Sequence, residues 1–123
     1  GAPTDAGYTA IYSADFAFAA LKSDGSITVW GWSGASGSTG DAPTDAGYTT
    51  MYSTLYSFAA LKADGSITAW GSSASGGSGA PTDGGYITIA STSHGFAALR
   101  RSDGSIATWF SGYSRRRVRS QRR

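Results

Sequence analysis

No cysteine and no glutamate occur anywhere in the chain; lysine appears only at Lys22 and Lys62 and histidine only at His94. Without cysteine there is neither a disulfide framework nor a thiolate metal site, and the redox compartment leaves no trace. The shortage of Glu and Lys, set beside 18 glycines, removes the residues that favour helices and points to an all-β chain. No apolar run approaches the roughly 20 residues that a membrane-spanning helix needs, so no membrane insertion is expected. There is also no signal-peptide pattern and no initiator Met, which suggests that Gly1 became the first residue by processing, cloning or truncation. What remains, 123 residues with 40% hydrophobic and 13% aromatic content, fits one domain with a modest core rather than a disordered segment.

The formal net charge of +2 joins two opposite pieces. All eight acids are Asp and precede residue 104, where the bases are Lys22, Lys62, Arg100 and Arg101, leaving that part acidic by four charges. The stretch 115–123 then adds six arginines, so the basic isoelectric point describes a tail.

One hairpin is written three times: "ALKSDGSITVWG" from Ala20, "ALKADGSITAWG" from Ala60 and "ALRRSDGSIATWF" from Ala98. Pro3, Pro43 and Pro81 open the copies, and Trp30, Trp70 and Trp109 close their hairpins. Such landmarks divide the chain into repeats over 1–40, 41–79 and 80–110 and a basic tail over 111–123, all within one structural domain. The third copy gains a residue at Arg100–Arg101, for which a bulge or register shift is expected.

Three strands are expected per copy. In the first, Tyr8 to Ser13, strict alternation sets Tyr8, Ala10 and Tyr12 against Thr9, Ile11 and Ser13. The second, Phe16 to Lys22, is apolar on both faces and predicts a strand covered on both sides. The third, Ser26 to Trp30, follows Asp24-Gly25, a pair suited to the positive φ values of a tight hairpin; Asp64-Gly65 and Asp103-Gly104 repeat it. Gly- and Ser-rich loops separate the copies.

The combination of an Ala-Leu strand, an Asp-Gly turn and a Trp-Gly strand end before a glycine loop, as in "FAALKSDGSITVWG", resembles the repeat of the regulator of chromosome condensation family. Trp70-Gly71, Gly76 and Gly79 match that loop's glycine spacing best. The resemblance implies β-propeller blades, each a small antiparallel sheet set around a central axis. The copies are shorter than the family's repeats, and there are three of them, whereas propellers close with four to eight blades. Two chains would supply six as a homodimeric ring, with the chain opening on an outer-strand segment and ending on an inner hairpin. The alternative is a pseudo-threefold β-trefoil or β-prism, for which three copies are the natural count; a strand apolar on both faces fits stacked blades better. The namesake's guanine-nucleotide exchange is not expected from three short copies.

No catalytic residues are assigned, because no base, nucleophile or metal cluster is gathered in the pattern, and neither a cofactor nor a metal is implied. His94 reads as an ordinary turn residue. The recurrent acids, Asp5, Asp45 and Asp83 in "PTD" and Asp24, Asp64 and Asp103 in the hairpins, are explained by turn formation. Trp30, Trp70 and Trp109 occupy one repeated position and read as packing between blades. Trp32, Tyr12 and Tyr52 are the candidate ligand-binding residues, since exposed aromatics beside Ser, Thr and Asp suit stacking on sugar rings or docking a protein. In the tail, Arg115, Arg116, Arg117 and Arg119 are candidates for polyanion contact, the only route to nucleic acid. The repeat places a Gly-Ser loop where this tail stands, and glycine codons read one base out of frame commonly give Arg, so a frameshifted or truncated end is the competing expectation. The functional expectation is a non-enzymatic module for binding or structural display, extracellular or on the cell surface. A lectin-like carbohydrate-binding protein is its alternative.

Overall fold

The hairpin turns explain the local structure. In a computed structural model that describes residues 1–31, 42–110 and 113–118, the last stretch as backbone only, the Asp24 carboxylate accepts the Ser26 N–H at 2.9 Å and the Ser26 hydroxyl at 2.7 Å. Gly25 takes φ 83° beside it. Asp64 does the same for Ser66, and Asp103 for Ser105. Each turn joins the second and third strands of a copy: β2 (Ala17–Lys22) to β3 (Ile27–Gly31), β5 (Ser57–Lys62) to β6 (Ile67–Gly71) and β8 (Gly95–Arg100) to β9 (Ile106–Phe110). The first strands, β1 (Tyr8–Ser13), β4 (Tyr48–Ser53) and β7 (Tyr86–Ser91), pair antiparallel with β2, β5 and β8.

The result is three antiparallel sheets in the orders β1-β2-β3, β4-β5-β6 and β7-β8-β9. A fourth strand, β10 (Tyr113–Val118), lies antiparallel to β9 with Tyr113 opposite Phe110 and Arg115 opposite Thr108. The first part of the basic stretch thus continues the third sheet as a strand. The described residues contain no α-helix, only a 3₁₀ turn at Ser73–Ser75.

Three sequence expectations change in detail. First, strict alternation in β1, β4 and β7 is broken by a register shift between Tyr8 and Ala10, Tyr48 and Thr50, and Tyr86 and Thr88. The shift lets residues three apart share a face, so Tyr48 and Met51 enter one cluster and Tyr86 and Ile89 the next. Second, the extra residue of the third copy leaves the strands undisturbed. Leu99 faces Ile106 as Leu21 faces Ile27, and the turn absorbs the addition: Gly104 N–H donates to the carbonyl four residues back, Gly25 to the one three back. Third, the first strands approach one another more closely than the third strands do, so the sheets fan out from β1, β4 and β7. The chain therefore opens on the hub side of a blade, not on its outer edge.

The sheets stack face to face. Ala17, Ala19 and Leu21 of the first pack against Tyr48, Met51, Phe58 and Trp70 of the second. The other face of the second sheet, Ala59 and Leu61, packs against Tyr86, Ile89, Phe96 and Trp109 of the third. Every blade thus has a face of large residues and a face of small ones, and each junction joins one of each. β5, at the centre, is buried on both sides from Ser57 to Leu61, as its apolar pattern predicts.

Candidate functional site

The described surface holds three recurrent arrangements: a polar corner on each blade, a row of aromatic side chains along the hub turns, and a bare apolar face at each end of the stack.

The polar corners come from "PTD". The Tyr48 hydroxyl donates to Asp45 at 2.9 Å and lies 2.8 Å from the Thr68 hydroxyl, and Lys62 Nζ contacts Asp45 at 2.7 Å while standing 5.0 Å from the Tyr48 ring centre. Asp5, Tyr8, Thr28 and Lys22 repeat this set, and Asp83, Tyr86 and Arg100 give its third version. The acids at these corners tie the entering segment to the blade, a role beyond the turn formation expected of them.

Hydrogen bonds from Lys22 and then Tyr8 hold the Asp5 carboxyl below the usual carboxylate range, and those from Lys62 and Tyr48 do the same for Asp45. Asp24 is lowered by the Ser26 hydroxyl and N–H, Asp64 by the Ser66 N–H and hydroxyl. Lys22 and Lys62 are raised by their bonds to Asp5 and Asp45. For a carboxyl lowered in the folded chain, the contribution is present above its unfolded value and lost as pH falls through the folded one. For the raised lysines it is present below the unfolded value and lost as pH rises through the folded one. Thermal unfolding followed across pH should show a midpoint that falls below about pH 4, and an Asp5→Asn, Asp45→Asn double variant should flatten that limb. An unchanged acid limb in the double variant would deny the corners any part in stability.

Along the hub, the turns between first and second strands are linked by backbone hydrogen bonds, Asp15 N–H to the Leu55 carbonyl at 2.8 Å and Leu55 N–H to the Ser93 carbonyl at 3.1 Å. They carry Phe16, Tyr56 and His94 at equivalent positions. Phe16 and Tyr56 stack with ring centres 5.7 Å apart and planes 6° from parallel. His94 is exposed, with Nδ1 2.8 Å from the Ser93 hydroxyl. Equivalence of these three positions was readable in the alignment of copies, but a Phe, a Tyr and a His do not look like a repeat until the turns are superimposed. Among the described residues no three His, Asp or Glu side chains come together as a metal site would need.

Of the predicted ligand residues, two are described. Tyr12 is half-buried and packs against the first junction, Tyr52 is half-buried against the second, and Trp32 lies outside the described residues. Arg115, Arg116 and Arg117 fall on β10, described as backbone only, and Arg119 lies outside the described residues. The repeated tryptophans do pack between blades: Trp70 and Trp109 are 1% and 0% exposed, each beside its strand partner Phe58 or Phe96. Trp109 donates its indole N–H to the Gly76 carbonyl at 3.0 Å, and the buried Trp70 indole N–H has no partner among the described residues.

Three blades leave sheet faces uncovered, as their count implies, but the repeats themselves do not distinguish those faces from the buried ones. On the first blade, Ile11 is 64% and Phe18 44% exposed, whereas their equivalents Met51 and Phe58 are 2% and 0%. Pro3, Tyr8, Ile11, Ala20 and Trp30 line a concavity of about 350 Å³ there. On the third blade, Ala97 and Leu99 are only half-buried, and Ala90, Phe96, Ala97, Thr108 and Phe110 line one of about 380 Å³.

Stacked three-stranded antiparallel sheets fanning from their first strands are the blades of a β-propeller. Solved structures agree. Over 89% of its length the chain matches the ectodomain of the receptor kinase CR4 from Physcomitrella patens, at TM-score 0.72 and 19% identity. It matches Prp20p of Saccharomyces cerevisiae over 86% at TM-score 0.65 and 17% identity, and human WBSCR16 over 92% at 0.61 and 15%. The chain spans 31%, 32% and 40% of those three chains respectively. No protein-family model matches the sequence, and neither does any curated protein. The repeat resemblance and the structural likeness thus point to one architecture, short β-propeller blades.

Proposed function

We propose that the chain is a non-enzymatic repeat module, half of a six-bladed propeller, that offers rigid turns for binding and is completed by a second copy. The observation that carries this is the pair of end faces: three blades are fewer than the four to eight with which propellers close, and both ends present apolar surface of the kind each junction buries. A protein ligand is the partner favoured, since the solved structure of Prp20p is described together with its binding to Gsp1p and histones. An extracellular or cell-surface setting belongs to the same proposal and is supported by the Gly-, Ser- and Thr-rich, Lys-poor composition with Asp as its only acid.

Light scattering on a gel-filtered sample, at moderate and high salt, tests it. The expected mass is that of two chains at both salt concentrations, because an apolar seam does not depend on screening. A one-chain mass at every concentration would contradict the ring.

Two narrower proposals stand apart from the ring. Carbohydrate binding through Trp32, Tyr12 and Tyr52 is supported by their aromatic character beside hydroxyl-rich loops, and a blank glycan array would remove it. Polyanion contact through Arg115, Arg116, Arg117 and Arg119 is supported by charge alone, and binding that persists after their replacement by Gln would remove that.

A further inference from the structure

We infer that the two copies meet head to tail, the large-residue face of one first blade seated on the small-residue face of the other's third blade, in the register already used inside the chain. This rests on the two-chain ring proposed above and says how its seams are made.

The junction between blades occurs twice within one chain with the same parts. Ala19 and Leu21 receive Met51, Phe58 and Trp70; Ala59 and Leu61 receive Ile89, Phe96 and Trp109. The uncovered ends are the two missing halves of a third such junction: Ala97 and Leu99 on one side, and Ile11, Phe18 and Trp30 on the other. Each half carries a concavity, of about 380 and 350 Å³. Ala90 contributes to the first hollow by standing where Tyr12 and Tyr52 stand in the other blades. A head-to-head pairing would set two large faces together and bring Asp5, Asp15 and Asp24 of each copy toward their counterparts. Head to tail, the acids of the first blade approach a blade whose own acids, Asp83 and Asp103, are balanced by Arg100 and Arg101.

The register follows from the backbone bonds. Asp15 N–H binds the Leu55 carbonyl and Leu55 N–H the Ser93 carbonyl, so the next step along the hub is Ser93 N–H to the carbonyl of Asp15 in the other copy. At the opposite end, Gly47 and Tyr48 N–H bind the carbonyls of Asp24 and Gly25, and Gly85 and Tyr86 those of Asp64 and Gly65. Across the seam the same pair of bonds runs from Gly7 and Tyr8 to Asp103 and Gly104. The row of Phe16, Tyr56 and His94 then continues, with Phe16 of one copy beside His94 of the other. A contact of this kind is heterologous, and two of them close a ring when the rotation per blade allows.

The absence of native cysteine makes the test clean. Asp15→Cys and Ser93→Cys together, treated with a short thiol-specific crosslinker on the full chain, should give covalent two-chain species, because the two positions sit two blades apart within one chain. Phe18→Cys alone should give none. A two-chain mass without the Asp15–Ser93 crosslink, and with a Phe18–Phe18 crosslink instead, would overturn the head-to-tail seam while leaving the dimer standing. A ladder of crosslinked species beyond two chains would keep the seam and remove the closed six-bladed ring. A one-chain mass with no crosslink would remove both, and would leave the end faces to be covered by further blades of a longer chain.

Discussion

Replacing Gly65 by alanine is expected to cost about 3–4 kcal/mol of stability in urea unfolding, well beyond what a turn glycine normally carries. Gly65 sits at φ +84°, and a Cβ built on it would lie 2.3 Å from the Tyr86 backbone nitrogen and 2.5 Å from that of Gly85. The left-handed conformation alone costs an alanine about 1–2 kcal/mol. The remainder comes from the next blade, which must withdraw and weaken the bonds from Gly85 N–H to the Asp64 carbonyl and from Tyr86 N–H to the Gly65 carbonyl, each 3.1 Å long and worth about 1 kcal/mol. Gly7 separates the two contributions, since at φ +97° it has nothing within 4 Å of an added Cβ. Gly7→Ala should show only the conformational part, about 1–2 kcal/mol. Equal losses at the two sites would mean that the blades do not approach at the Gly65 turn.

Trp70→Ala should be the most damaging single truncation of the core, at about 3–5 kcal/mol. The side chain is 1% exposed, stacks on Phe58 at 5.5 Å between ring centres, and faces the first blade's Ala17 and Ala19 cluster. Domains of this size are stable by about 5–15 kcal/mol, so the variant should lie near the limit of folding, read by loss of near-ultraviolet circular dichroism and a lower urea midpoint. Its indole N–H has no partner among the described residues, so the loss measures chiefly packing. The same change at Trp30, half-buried on an end face, should cost the single chain less and act mainly on assembly. Equal destabilisation of Trp30→Ala and Trp70→Ala in dilute single chains would show that the first blade is not an open end.

Much of this architecture was legible because repetition removes ambiguity. The Asp-Gly turns located six strands at once, and the two-faced apolar pattern of Phe58 to Leu61 marked a strand covered on both sides, which is how β5 is buried. Strand alternation misled at Tyr8, Tyr48 and Tyr86, where a register shift sets the tyrosine on the same face as the apolar residue three positions on. The extra residue at Arg100–Arg101 could equally have bulged a strand; it lengthens a solvent-facing turn, where no pairing is lost. The aromatic candidates were harder still. A period of two cannot say whether Tyr12 and Tyr52 face solvent or a neighbouring sheet, and they pack into blade junctions. Nor does identity of sequence between Phe18 and Phe58 hint that one is 44% exposed and the other fully buried; only position in the stack decides that.

A compensating exchange in the third blade shows how closely the strands are fitted. Ser57 faces Gly71 across β5 and β6, and Gly95 faces Phe110 across β8 and β9. A Cβ on Gly71 would lie 2.5 Å from the Tyr56 carbonyl oxygen, and one on Gly95 would lie 2.3 Å from the Phe110 Cβ. The small residue has moved to the other strand, and the pair is preserved.

Hydroxyl-radical footprinting with mass spectrometry reads the central claim, that the end faces are covered by another copy in solution. At concentrations where two chains associate, Ile11, Phe18 and Trp30 should oxidise nearly as slowly as Met51, Phe58 and Trp70, allowing for each side chain's intrinsic reactivity, and should become reactive on dilution. Phe18 and Trp30 equally reactive at every concentration would contradict the account, for the first blade would then stand open and the six-bladed ring would not form.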